Sequence, residues 1–310
     1  MHAVTYNVRM RLRGRRSGFT LIEMMIAIVL TVLVMGALMY ALIRQQRFYG
    51  SAAQLLEARG QVRHAAAILP YDIRAISTVG GDIISMDDTE LVIRATYGSS
   101  MICAINGGSV VVPPVDPDKG NVVTTWASLP ATGDSVYIFN EGPTNSMNDD
   151  TWSFHEIGNS VTWETGTCPN STGLTSAPDA SKSVLKFNVV DPLSANIRVG
   201  APMRYVRRAR YKLFQADNSQ WYLGYCSPDC GSGTPEVLAG PFVPLNSASG
   251  PGVRFGYLDV NGTETSIPSQ VARVNILVSA QTKTSVNLTG FQSEVLGDSL
   301  RFSVAIRNRQ

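Results

Sequence analysis

Glu23 is the fifth residue of an apolar run that begins at Phe19, directly behind a basic segment ending at Gly18: Arg15–Arg16–Ser17–Gly18–Phe19–Thr20–Leu21–Ile22–Glu23. An ionised carboxylate among apolar residues is costly unless it meets a partner. Cutting the peptide bond between Gly18 and Phe19 would create an α-amino group four residues before Glu23, about one helical turn away. That spacing suits an ammonium–carboxylate pair, within the chain or with a neighbouring helix packed alongside. The alternative is that Glu23 reaches out of the apolar layer to the headgroups, with no pairing at all.

Other constellations carry less. Gly297-Asp298-Ser299-Leu300 spells the GDSL motif of an esterase family, but no histidine follows His155, so the base that would activate Ser299 is missing from its expected place. The motif is read as a turn entering the last strand. Of the three histidines, His2 lies before Gly18 and His64 falls on a helical pattern. Neither a metal cluster nor a catalytic triad is expected, no cofactor is expected, and the chain is not read as an enzyme. Asp259, Asn261 and Glu264 alternate as calcium ligands could, but Asn261-Gly262 between two strand-like runs signals a hairpin. The acidic stretch Asp82–Asp88 is no stronger as a calcium site. Arg204, Arg207, Arg208 and Arg210 interleave with Tyr205 and Tyr211 as a strip for single-stranded nucleic acid could. In a strand, Arg204, Arg208 and Arg210 share a face and Arg207 opposes them. A solvated or subunit-contacting face is the preferred reading. Beyond the five arginines of residues 1–18, the balance is 21 basic to 24 acidic residues, so nucleic acid is not expected as a partner.

The four cysteines all follow the apolar run, and their even count suits an oxidising compartment. Cys226 and Cys230 can close a small loop, leaving Cys103 and Cys168 as the other pair. A zinc site is the alternative, but only one closely spaced pair is present.

These residues need elements to position them. Phe19–Ile43 as a helix is about 37 Å long, enough to cross a bilayer core of about 30 Å. Arg9, Arg11, Arg13, Arg15 and Arg16 precede it and only Arg44 and Arg47 follow closely, predicting a cytoplasmic amino terminus and an external carboxy-terminal body. The small residue precedes the apolar core, which is the reverse of a conventional signal peptide. Past the membrane, Phe48, Ala52, Leu55, Arg59, Val62, Ala66, Leu69, Ile73 and Ile76 recur at spacings of four and three, an amphipathic stripe broken only by Arg59. Burial against the chain's own sheet is expected for it. Pro70 should bend or interrupt this helix, and Gly80-Gly81 should end it.

From residue 82 onward short strands are expected: Glu90–Thr96, Ser109–Val112, Ser135–Asn140, Ser183–Val190, Arg204–Phe214, Gln220–Tyr225, Gly252–Leu258, Val271–Ala280 and Ser299–Arg307. Gly142–Ala180 reads as a long loop. The organisation predicted is a leader, 1–18; a transmembrane helix, 19–43; an amphipathic continuation, 44–79; and a β-rich domain, 80–310. The class is α+β, a long helix packed on an antiparallel sheet.

The segment GFTLIEMMIAIVL behind its basic leader resembles the amino-terminal signature of type IV prepilins and type II secretion pseudopilins. In that family a prepilin peptidase cuts after the glycine, the new terminal phenylalanine is methylated, and the glutamate registers subunits during assembly. The resemblance places these roles at Gly18, Phe19 and Glu23. Major pilins commonly carry a helix-bending proline in the apolar stretch, and Phe19–Ile43 has none. The segments ILPYDIRAIS, PMRYVRRARYKLF, WYLGY, VRFGYLDVNGTE, VARVNILVSAQT and SLRFSVAIRNR are similar, in that order, to elements of PilW-like minor pilins and J-type minor pseudopilins. The resemblance implies a minor subunit that waits in the inner membrane, then joins a filament extending through the periplasm to the cell surface, where it primes assembly or supports adhesion. Its implied partners are prepilin peptidase, other major and minor pilins or pseudopilins, and the filament assembly platform. A pseudopilin of type II secretion is the nearest alternative. An unprocessed membrane-anchored binding domain or enzyme is the alternative from another class.

Overall fold

The computed structural model describes residues 18–118, 122–144, 146–228, 230, 233–248, 250–286 and 295–307. The leader, with its five arginines and His2, lies outside the described residues, as do residues 308–310. Two compact units make up the chain, residues 1–53 with 287–292 and residues 54–286 with 293–310.

The first unit contains helix α1, which spans Leu21–Ala75, as far as Ala53. Its apolar side chains, from Leu21 to Ile43, are exposed along their whole length. This is the segment long and apolar enough to cross a membrane. Even its one mid-span hydroxyl is satisfied internally: Thr31 Oγ1 donates to the Ala27 carbonyl at 2.7 Å.

The second unit holds the rest of α1 and fourteen strands. In chain order these are β1 (Ile83–Met86), β2 (Glu90–Met101), β3 (Ala104–Asn106), β4 (Ser109–Val111), β5 (Thr125–Trp126), β6 (Ser135–Asn140) and β7 (Thr151–Thr165). They continue with β8 (Ser183–Val189), β9 (Pro202–Gln215), β10 (Trp221–Cys226), β11 (Glu236–Phe242), β12 (Val253–Leu258), β13 (Arg273–Gln281) and β14 (Gly297–Ala305). All join one antiparallel network with a path β12-β13-β11-β10-β9-β6-β7-β8-β4-β3. The architecture is α+β. Strand β9 is its hub: β2 pairs along one edge from Pro202 to Lys212, while β6 and β10 share the other, at 203–206 and 210–215.

Ala58, Val62, Ala65, Leu69, Ile73 and Ile76 form the buried row of α1 and its exit, packed against Leu91, Ile93, Tyr211, Leu223, Val274 and Ile276 of the sheet. The expected 3.5-residue stripe is therefore corrected in register, with Ala58 and Ala65 replacing Arg59 and Ala66. A straight helix repeats every 3.6 residues and drifts off a heptad by about 20° per repeat. Arg59 consequently emerges to pair with Asp298 at 3.4 Å. Polar links flank the row: Gly240 N–H donates to Gln61 Oε1 at 3.0 Å, Lys283 pairs with Glu57 at 2.8 Å, and the Tyr211 hydroxyl donates to Asp72.

The helix is not interrupted at Pro70, and its end, at Ala75, falls before the expected glycine pair, Gly80-Gly81. Pro70 removes one helical donor, but Leu69 and Ile73 on either side are fully buried and hold the backbone in place. The helix exit is sealed instead by Asp82, which accepts from Ser77 N–H at 2.6 Å and from Arg204 at 2.8 Å. Gly80-Gly81 makes the intervening turn, with Gly81 at φ +77°.

The stretch 142–180 is not a loop throughout, since it contains the fifteen-residue strand β7. Its Gly, Asn and Ser content hid Trp152, Phe154, Ile157, Val161 and Trp163, which are strand formers. The strand changes partner midway, pairing with β6 before Ile157 and with β8 from there on. The irregular register between Ile157 and Val161 is the corner.

Candidate processing and assembly site

Gly18, Phe19 and Thr20 precede α1 in non-helical conformation, and all three are exposed. Helix α1 begins at Leu21, which makes Thr20 the N-cap and Glu23 the third helical residue. Glu23 Oε2 accepts from the Thr20 N–H and from Thr20 Oγ1, each at 2.9 Å. In return Glu23 N–H donates to Thr20 Oγ1 at 3.3 Å. This is a reciprocal capping box, Thr-x-x-Glu. The carboxylate also stands at the positive end of the helix dipole. Within a single chain, Glu23 is thus held by its own backbone and needs no external cation. The sequence carried this signal, because a threonine three residues before a glutamate at the head of an apolar run is a capping signature. Attention to an ammonium partner obscured it.

Cys103 joins Cys168, and Cys226 joins Cys230, with Cα atoms 5.4 Å and 5.2 Å apart. Both lie far along the chain from Glu23 and are structural. Ser299 and Asp298 belong to β14 rather than to a turn before it, and Asp298 is engaged by Arg59. Asp259 Oδ1 accepts from Asn261 N–H and Thr263 N–H, each at 2.8 Å, and Leu258 bridges to Glu264. The loop is a tight turn, in keeping with the hairpin reading. No group of three or more potential metal ligands exists among the described residues.

Arg204, Arg207 and Arg210 on β9 are partly buried in ion pairs within the chain, which departs from a solvated face, while Arg208 is exposed. Arg207 grips Asp134 with Nε at 2.6 Å and Nη2 at 2.5 Å, and the Tyr97 hydroxyl donates to the same carboxylate at 2.9 Å. Arg204 pairs with the fully buried Asp82 and lies 4.6 Å over the Tyr137 ring. Arg210 lies 3.6 Å from Glu90. Arg204 and Arg207 thereby tie the turns at Asp82 and Asp134 to the sheet; in the sequence Asp82 is weighed only within a calcium stretch, and Asp134 is not singled out.

His155 is buried on β7, and burial lowers its imidazole below the ordinary value of 6.5, with the Asp191 charge acting in the opposite sense. The folded chain therefore takes up this proton at lower pH than the unfolded chain. Stability is full above about pH 6.5 and declines as pH falls below it, because the unfolded state then binds more protons. Denaturant unfolding of the full chain in detergent at about pH 7.5 and 5.5 should record that loss, and His155→Leu should flatten it.

Residues 13–39 match the family model described as the prokaryotic N-terminal methylation motif, which is typical of type IV pilins and pseudopilins. No curated protein and no solved structure matches the chain. The chain thus carries a type IV pilin- or pseudopilin-like amino terminus on an α+β body. The motif implies processing by prepilin peptidase and assembly with other pilin-type subunits, and the apolar helix implies membrane anchoring.

Proposed function

We propose that the chain is a PilW-like minor pilin, cut between Gly18 and Phe19, methylated on Phe19, and incorporated into a type IV pilus or used to prime one. The observation that carries this reading is the coincidence of the methylation motif with the start of α1. The bond to be cut lies outside the helix in exposed chain, which a peptidase can engage without unwinding a turn. Glu23 lies inside the first turn, where it can exchange its own cap for the amino terminus of a neighbouring subunit.

The role we assign is structural rather than enzymatic, in line with a Gly297–Leu300 motif that lies in β14 with its Asp298 engaged by Arg59. Before assembly the subunit sits once across the inner membrane with its amino terminus inside. Afterwards its β-rich body faces outward along or at the tip of the filament, where it can serve adhesion. A pseudopilin of type II secretion would share the processing and the helix, and the filament with which the chain co-purifies separates the two.

Mass spectrometry of the amino-terminal peptide from membrane-extracted protein tests the reading. The expected peptide starts at Phe19 and carries one added methyl group. An intact leader from Met1, in cells with active prepilin peptidase, would leave an unprocessed anchored domain instead.

A further inference from the structure

An open cleft of about 570 Å³ lies where the end of α1 meets β2, β5 and β10. Its size is that of a small-ligand site. Tyr71, Tyr97, Trp126 and Tyr225 line it together with Asp72 and Arg207. Tyr71 is 80% exposed at the carboxy-terminal end of α1, a large ring that folding leaves in solvent. Trp126 meets the half-exposed Trp163 edge-on at 6.3 Å, and Arg207 lies 4.6 Å over the Tyr97 ring, which leaves Tyr71, Trp126 and Tyr225 as the rings open to a ligand.

Two backbone irregularities converge on this place. Tyr97 is the extra residue of a bulge, since Thr96 pairs with Val206 and Gly98 with the adjacent Tyr205. Gly98 lets β5 approach closely: a Cβ there would stand 2.6 Å from the Thr125 carbonyl oxygen and 2.8 Å from Trp126 Cβ. The bulge and the glycine thus bring Tyr97 and Trp126 to one cleft.

The charges at the cleft are already compensated. Arg207 gives Nε and Nη2 to Asp134 and donates from Nη1 to the Ser128 hydroxyl at 3.1 Å. An anion would find little free positive charge. Asp72 accepts from the Tyr211 hydroxyl, and partial burial raises its carboxyl above the ordinary range. A cation would share the cleft with the Arg207 guanidinium and find Asp72 already engaged by Tyr211. The remaining polar lining is hydroxyl, from Thr96, Ser99 and Ser227. Aromatic faces with hydroxyls, one acceptor and one compensated donor suit a neutral molecule that is apolar on its ring face and hydroxylated at its rim.

We propose that this cleft binds a neutral sugar residue of a glycan, with a pyranose face stacked on the aromatic wall and its hydroxyls met by Asp72 and the hydroxyl lining. The site does not depend on assembly into a filament.

The test uses the full chain in a detergent without a sugar headgroup. Tryptophan fluorescence and saturation-transfer NMR are followed while glucose, galactose, mannose and N-acetylglucosamine are each titrated. At least one sugar should saturate with a dissociation constant on the order of 1 mM, as expected for about a dozen heavy atoms in an open site. Tyr71→Ala, which removes an exposed ring, should weaken that binding about tenfold with unchanged thermal unfolding. Asp72→Asn should weaken it as well. Saturation by none of the four sugars, binding unchanged in both Tyr71→Ala and Trp126→Ala, or preferential saturation by choline or inorganic phosphate would each overturn the assignment.

Discussion

Replacing Glu23 with glutamine is expected to leave the start of α1 intact and still keep the chain out of filaments. A glutamine at the third helical position completes a capping box as glutamate does, so the exchange with Thr20 survives while the charge is lost. If Glu23 also pairs with the amino terminus of a neighbouring subunit, incorporation should fall on the order of tenfold or more, because the neighbour's ammonium is left without its counter-charge. Glu23→Ala should do at least as much and fray the first turn besides. Thr20→Val makes the converse change, disturbing the cap while keeping the charge, and should assemble. Immunoblots comparing sheared filaments with the membrane pool measure incorporation, and amide exchange at residues 21–24 in detergent reads the helix start. Normal assembly of Glu23→Gln would reduce Glu23 to a helix cap and discard pairing between subunits.

The second large effect concerns the two disulfides, which should differ in what they contribute to stability. Cys103–Cys168 closes a sequence separation of 65, and Cys226–Cys230 one of 4. In the chain-entropy account the first restrains the unfolded chain by about 4 kcal/mol and the second by about 2 kcal/mol. The longer bridge also sits in a small apolar cluster with Ala104, Val111 and Val184, which anchors the segment after β7. Paired alanine replacements, compared by denaturant unfolding of the full chain under oxidising conditions, should show the larger loss for Cys103/Cys168. Equal losses would mean that loop length does not govern the contribution.

Much of this architecture was legible because its signals are local. Ser135–Asn140 is a strand at the expected residues, and β8, β9, β12 and β13 lie within about two residues of their expected ends. β12 and β13 bury alternate residues and show that alternation in their sequence, whereas β6 and β8 were marked by short apolar runs bounded by turn residues. What escaped depends on partners distant in the chain. β11 contains Gly240-Pro241, which reads as a turn, and its pairing with β10 and β13 makes it a strand. β7 was averaged away by its polar flanks. Pro70 was given too much weight because the sheet that holds the helix is invisible from residues 66–70. At the amino terminus the methylation motif of residues 13–39 was readable from residue type and spacing, and so was the capping box of Thr20 and Glu23. The bonds of Arg204 and Arg207 to Asp82 and Asp134 were not, for they span 122 and 73 residues of sequence.

Strand β9 contributes Met203 and Tyr205 to one apolar cluster and Ala209, Tyr211 and Leu213 to another, and β2 runs beside it for almost its whole length. The two clusters are therefore joined through the β2–β9 pair, so separating one of them disturbs a strand that the other also uses. Local opening, where proteases cut first, usually follows the boundaries of separate cooperative units. A shared strand of this kind couples the opening of the two clusters, so limited proteolysis of the β-rich unit should track its cooperative unfolding rather than the opening of one cluster.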